Sequence, residues 1–384
     1  MLMNKIIAIN QRYLKHPALL DSMPQSLDLD MLSYFSNLPY EVEIPYMGLM
    51  PRVGRNDLPF CNDAIDLLGA RMPEYDPGFS MSWSDITDQR ALELEKLCTD
   101  LDQDLVVQWS GGIDSTCMLS AIIKNFSSTA RQRVKIACNW GSVIENPTFY
   151  HDYIQGQYVT VDINDQTRNL NDNSLVVGGE IADKISMAMG NLDQNLGVRN
   201  RDLFSLPWRT NKHRLHTYLT SETKNPDFAD WVITMVANNI ESVSVPVETC
   251  FDFLWWFSFN YHWYGSILLE WLHHYRHTGQ SWAQHRLKFV RWYETVEYQQ
   301  WSMNNHLGSK YGTRLDSIKQ QAKQYIFDLD ANEWYLKYKI KISSAGRLSS
   351  ATTSGPFAVT DDFKVLYIDQ DMDLIRQLLP THLL

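Results

Sequence analysis

The sequence predicts an α/β fold built on an open parallel sheet flanked by helices. Two observations carry the prediction. Short apolar runs at 105–109, 134–140, 158–162 and 174–177 alternate with stretches of helical periodicity, as in successive βαβ units. Directly after the first run, Met118, Leu119, Ile122, Ile123 and Phe126 recur at helical spacing.

Ahead of that region, prolines at 17, 24, 39, 45, 51, 59, 73 and 77 break any long helix, so residues 1–82 read as an irregular α+β extension. Apolar residues at Ala91, Leu92, Leu94 and Leu97 then mark a helix, with Ser84 or Thr87 as its expected cap. Residues 83–200 are expected to form the sheet domain, with four strands. Beyond Asn191 the chain turns aromatic and basic, with helical stretches expected at 229–239, 251–275 and 282–301. Residues 201–384 are therefore expected to be a mainly helical, aromatic-rich, substrate-side region.

Composition narrows the class. Forty-four per cent hydrophobic against 21% charged residues marks a globular chain. No apolar stretch near Met1 has signal-peptide length, and the apolar segment 251–264 carries Asp252, Asn260 and His262 and falls short of the ~20 residues that span a bilayer. A cytoplasmic protein without a membrane segment is expected. The five cysteines have no metal-ligand spacing and read as reduced thiols. The histidines, among them His213, His216, His262, His273, His274, His277, His285 and His306, form no triad or metal pattern. Net charge is −11, yet residues 276–347 hold twelve Lys or Arg against six Asp or Glu. That bias reads either as a site for polyphosphate or nucleic acid, or as a solvated mixed-charge face.

The residues that carry chemistry lie between the first strand and its helix: Ser110-Gly111-Gly112-Ile113-Asp114-Ser115-Thr116. Paired glycines let the backbone bend tightly and approach a ligand. Consecutive N–H groups and the positive end of the following helix favour phosphate. Ser110, Ser115 and Thr116 add hydroxyl donors, and Asp114 suits the Mg2+ that accompanies a polyphosphate. No Gly-x-x-x-x-Gly-Lys-Ser/Thr loop occurs.

Ser110–Thr116 resembles the signature of the PP-loop ATP pyrophosphatases, a branch of the adenine nucleotide alpha hydrolase-like (HUP-type, Rossmann-like) fold with helices on both faces of its sheet. The resemblance implies ATP and Mg2+ as ligands, with β- and γ-phosphates held as departing pyrophosphate and the α-phosphate open to attack. A second stretch, Gly178-Gly179-Glu180-Ile181-Ala182-Asp183, is similar to the Gly-x-Gly-Ala-Asp-Glu segment of asparagine synthetase-like enzymes. It departs from that segment at Ile181, where the family has glycine, and at Lys184, where it has an acid. By this likeness Asp183 joins Asp114 as a metal ligand, Gly178 and Gly179 line the nucleotide site, and the backbone near Trp109 and Cys138 flanks adenine. The branch also uses late basic residues against pyrophosphate. Lys310, Arg314, Lys319, Lys323, Lys337, Lys339 and Lys341 are candidates, with Lys319 and Lys323 on one helix face and the last three on one strand face. The likeness covers residues 104–184.

The expected reaction is adenylation of a small-molecule carboxylate, resolved by a nitrogen nucleophile. The glutaminase of asparagine synthetases needs a cysteine after Met1; here Leu2 follows and no cysteine precedes Cys61, so ammonia made in the same chain is not expected. Two alternatives stay open: modification of a nucleobase, free or in tRNA, and nucleotide binding without turnover. The run 251–264 reads either as a stacking platform or as core, with core the simpler reading. The sequence leaves the oligomeric state open.

Overall fold

The computed structural model describes residues 52–53, 70–163, 173–186, 201–223, 226–263, 266–267, 270, 288–306, 310, 319–337, 339–341, 357–359 and 365–367. The chain divides into two compact units. One comprises Met81–Gly179, Arg286–Trp292 and Ser309–Leu384; the other comprises Met1–Ser80, Glu180–His285 and Tyr293–Gly308. The division points after Ser80 and after Gly179 stand beside the expected boundaries at 82/83 and 200/201, and the last third of the chain contributes to both units.

The first unit is α/β. Helix α1, Trp83–Asp100, starts from Ser82, whose hydroxyl accepts from Asp85 N. Thr87, one of the caps expected from sequence, is instead a buried helical residue whose hydroxyl donates to Trp83 O at 2.6 Å. Strand β1, Asp104–Gln108, pairs in parallel with β2, Val134–Cys138, on one side and with β4, Ser174–Gly178, on the other. Strand β3, Val159–Asp162, extends the sheet beyond β2. Leu105, Val106 and Val107 are buried on both faces, as an unbroken apolar run requires.

A fifth strand, β5 at Phe289–Arg291, pairs in parallel with β4 and completes the order β3-β2-β1-β4-β5. The sequence expectation of a helix over 282–301 is corrected here. Phe289 and Arg291 are buried, and pairing with β4 outweighs the local helical pattern. Successive strands step outward from β1 to β3, then return to the other side of β1 at β4. Open α/β sheets bind ligands at such a reversal, beyond the carboxyl ends of the two strands.

Helix α2, Ile113–Asn125, follows β1. Helix α3, Trp140–Glu145, follows β2 behind an Asn139 capping box. Late in the chain α9, Gln320–Asp330, and α10, Glu333–Lys337, form a helical pair; helices α4 to α8, which precede them in the chain, are those of the second unit described below. Tyr325 of α9 donates to Asp88 of α1, and Lys124 of α2 reaches the same carboxylate at 2.8 Å, tying three helices together. An antiparallel sheet of β6, Lys339–Lys341, β7, Phe357–Val359, and β8, Val365–Tyr367, lies further along the chain. Lys337 ends α10 rather than sharing a strand face with Lys339 and Lys341.

The second unit is helical among its described residues. It includes α4, Ala182–Ile185, α5, Lys212–Thr223, α6, Pro226–Ile240, α7, Cys250–Tyr261, and α8, Val296–Asn304. All of α7 is buried, so its aromatic residues are core. Three of its polar side chains are paired: Trp256 Nε1 and Asn260 Nδ2 donate to Asn239 Oδ1 at 2.7 and 2.9 Å, and Trp255 Nε1 donates to Ser302 Oγ at 2.9 Å. Among the described residues no helix is long and apolar enough to cross a membrane. His273, His274, His277, His285 and Arg314 lie outside the described residues.

Candidate functional site

The candidate loop lies at the reversal point. Trp109 continues β1 by one residue, its N–H donating to Ala137 O at 2.9 Å. The indole is fully buried, donates to Thr116 Oγ1 at 3.1 Å, and stacks on Phe149 and Tyr150 at 6.1 and 6.2 Å between ring centroids. The Trp109 and Thr116 side chains therefore pack together beneath the loop.

Gly111 turns the chain with φ +74°, the left-handed region that a side chain disfavours. A Cβ there would stand 2.1 Å from Ser142 O and 2.8 Å from Glu145 Cβ. Gly112 caps α2 in extended conformation and offers no side-chain acceptor, so among the described residues no side chain caps this 13-residue helix. Ser110 is exposed, and its Oγ lies 3.0 Å from Ser115 Oγ and accepts from Gly112 N at 3.3 Å. Ser115 Oγ in turn accepts from Ser110 N at 3.1 Å. Two hydroxyls and two backbone N–H groups are thus joined in one hydrogen-bond network.

Asp114 sits half-buried in the first turn of α2, where the helix dipole favours an acid. Lys319 Nζ donates to its Oδ2 at 2.5 Å, with the two side chains 10% and 26% exposed. Lys319 occupies the N-cap of α9 in left-handed conformation, φ +62°, outside the helical turn that a shared face with Lys323 requires. Lys323 is buried and donates to Leu336 O at 3.4 Å. Sequence spacing thus groups two lysines that the structure separates: Lys319 reaches the loop and Lys323 joins α9 to α10. Lys310 is buried as well.

From behind, the Tyr335 hydroxyl donates to Gly111 O at 3.0 Å. The ring is fully enclosed, and burial first, then the nearby Glu145 and Asp114 carboxylates, push its phenol well above the ordinary tyrosine range. Nothing in the sequence marks Tyr335, since the contact joins residues 224 apart.

At the end of β4, a Cβ on Gly178 would lie 2.8 Å from the Phe289 ring, and one on Gly179 would lie 3.2 Å from Ser115 N. Gly179 therefore lies against the loop through backbone contact. Asp183 follows in the other compact unit, half-buried in the first turn of the four-residue α4. The preceding Ile181 is left-handed at φ +76°, an unusual conformation for a β-branched residue.

Cys138 ends β2 as a buried thiol, pushed up to about 11 by burial and, secondarily, by Asp162. Among the described residues no group of three or more His, Cys, Asp or Glu is placed to hold a metal. Mg2+ bound with a polyphosphate needs fewer protein ligands, commonly one or two carboxylates, the remainder being phosphate oxygens and water, and Asp114 is the carboxylate in the first turn after the loop. Comparison with family models, curated proteins and solved structures finds no match to this chain.

Proposed function

We propose that the chain binds ATP at Ser110–Thr116 and cleaves it to AMP and pyrophosphate, adenylating a small-molecule carboxylate that a nitrogen nucleophile then attacks. The observation that carries this reading is the left-handed Gly111 turn into an uncapped helix N-terminus at the sheet's reversal point, with Asp114 and Lys319 together at its edge. The backbone at Ile181 adds support: it adopts the conformation open to the glycine of the resembling motif.

In this reading the N–H groups of the loop and α2, with the Ser110 and Ser115 hydroxyls, bind the β- and γ-phosphates. Asp114 would hold Mg2+, which would supply charge neutralisation for pyrophosphate departure. Lys319 adds a fixed positive charge on the same leaving group, where it counts most as charge builds. Trp109 and Thr116 keep the loop shaped from below.

The test is pyrophosphate release from ATP and Mg2+ by wild type and Asp114→Ala, with pools of amino acids, organic acids, amines and bulk tRNA offered in turn. Release that depends on one acid pool and is lost in the variant supports the reading. Release triggered by tRNA moves the protein to nucleobase modification. ATP binding without release under any pool replaces turnover with nucleotide sensing.

A further inference from the structure

We infer that Tyr335 is a positioning residue for the anion loop: by holding the Gly111 carbonyl inward it sets the Gly112 N–H outward, toward the phosphate side. This rests on the proposed function and names a residue outside the expected site.

The geometry begins with one peptide unit. The Gly111 carbonyl and the Gly112 N–H belong to the same planar trans group and point in opposite directions. The carbonyl accepts from Tyr335 Oη at 3.0 Å in fully buried surroundings. The N–H is thereby directed the other way, and it meets the Oγ of exposed Ser110 at 3.3 Å. Gly111 has no side chain and a positive φ, so steric restriction at this residue is weak and the peptide plane is free to turn. An external clamp is what fixes it.

Tyr335 is itself well held. Its backbone N–H donates to Asn332 Oδ1 at 3.0 Å, which caps α10, and α10 is joined to α9 through Lys323 Nζ and Leu336 O. Lys319 opens α9 and meets Asp114. The α9–α10 pair therefore holds the loop at two points, one on each side of Gly112. Without the hydroxyl, the 111–112 peptide can turn, and the N–H loses its preset direction.

Tyr335→Phe removes one oxygen and keeps the ring. Isothermal titration would be run with inorganic pyrophosphate, ATP and adenosine on wild type and Tyr335→Phe, beside amide hydrogen exchange of residues 110–116. The expected result is a loss of about 5- to 10-fold in affinity for pyrophosphate and ATP alike, the worth of one preorganised hydrogen bond, with adenosine binding unchanged and faster exchange at Gly112. Equal affinities for pyrophosphate in both proteins overturn the inference while leaving ATP binding intact. A uniform loss across all three ligands also overturns it, because general loosening would not spare adenosine. If wild type binds neither pyrophosphate nor ATP, the functional reading falls, and the exchange rates decide alone: faster exchange at Gly112 in Tyr335→Phe upholds the clamp, and unchanged exchange overturns it.

Discussion

Lys319 Nζ lies 2.5 Å from Asp114 Oδ2, so the carboxylate expected to meet Mg2+ already has a cation from a residue 205 positions away. Asp114 also sits at the positive end of α2, so loss of the lysine leaves it partly compensated. Lys319→Met is expected to reduce stability by about 1 kcal/mol, small for a pair that is only partly buried. Its effect on chemistry is expected to be larger, about 100-fold or more in pyrophosphate release, as for removal of a transition-state charge partner. Denaturant unfolding and the release assay read the two separately. A stability loss of several kcal/mol with unchanged turnover would make the pair structural.

Gly111 and Gly156 offer a controlled comparison. Both have φ +74°, but a Cβ at Gly156 meets nothing within 4 Å, whereas at Gly111 it would collide with Ser142 O at 2.1 Å. Gly156→Ala carries only the backbone strain of the left-handed region, about 1 kcal/mol. Gly111→Ala adds displacement of the α3 backbone and is expected to cost at least about 2 kcal/mol more, in line with overpacking. Thermal melts of both variants give the difference directly, and similar melting temperatures would show that the loop relaxes around the methyl.

Local pattern and long-range pairing explain which parts of this architecture can be read from sequence. The runs at 105–109, 134–140, 158–162 and 174–177 are legible because a buried parallel strand needs continuous apolar residues. The Gly-Gly turn is legible because few residues tolerate its backbone. Strand β5 is hidden, since three residues at Phe289–Arg291 become a strand only by pairing with β4 more than a hundred positions earlier. Lys319 and Lys323 look equivalent at i, i+4, but the helix begins only after Lys319, and that single turn sends one to Asp114 and the other to Leu336. Tyr335 has no local signature at all.

Cysteine reactivity follows from burial. Cys98, Cys117, Cys138 and Cys250 are buried free thiols, and burial raises Cys98 and Cys138 to about 11 and Cys250 to about 12. At pH 8 these three are thiols, and the thiolate is the reactive form. Iodoacetamide is expected to leave all four unlabelled in the folded protein and to modify them after unfolding, as read by peptide mass spectrometry. Cys138→Ser is expected to retain pyrophosphate release within about 2-fold, since a thiol held neutral and enclosed contributes packing only. Rapid native labelling of Cys138 would contradict its burial.

His262 gives the helical unit an acid-sensitive point. The residue is 2% exposed, and among the described residues neither ring nitrogen has a hydrogen-bond partner and the Oγ of Ser258 one turn earlier is likewise buried without one. Burial first, and then the nearby Lys184 charge, hold the imidazole well below its ordinary value of 6.5. The folded state therefore keeps His262 neutral while the unfolded chain takes up a proton as pH falls through 6.5. Stability linked to this group is complete above that value and declines below it until the folded-state value is reached, at up to about 1.4 kcal/mol per pH unit. His262→Leu removes both the titration and two buried polar atoms that lack partners, and replacing such a group by an apolar one is close to neutral. The variant is expected to match or exceed wild type at pH 7.5, and to lose less stability between pH 6.5 and 5. Urea unfolding at several pH values measures the slope. An unchanged slope would mean that His262 is not the residue that titrates, and a large loss at pH 7.5 would mean that its ring nitrogens are engaged after all, by buried water or by a ligand.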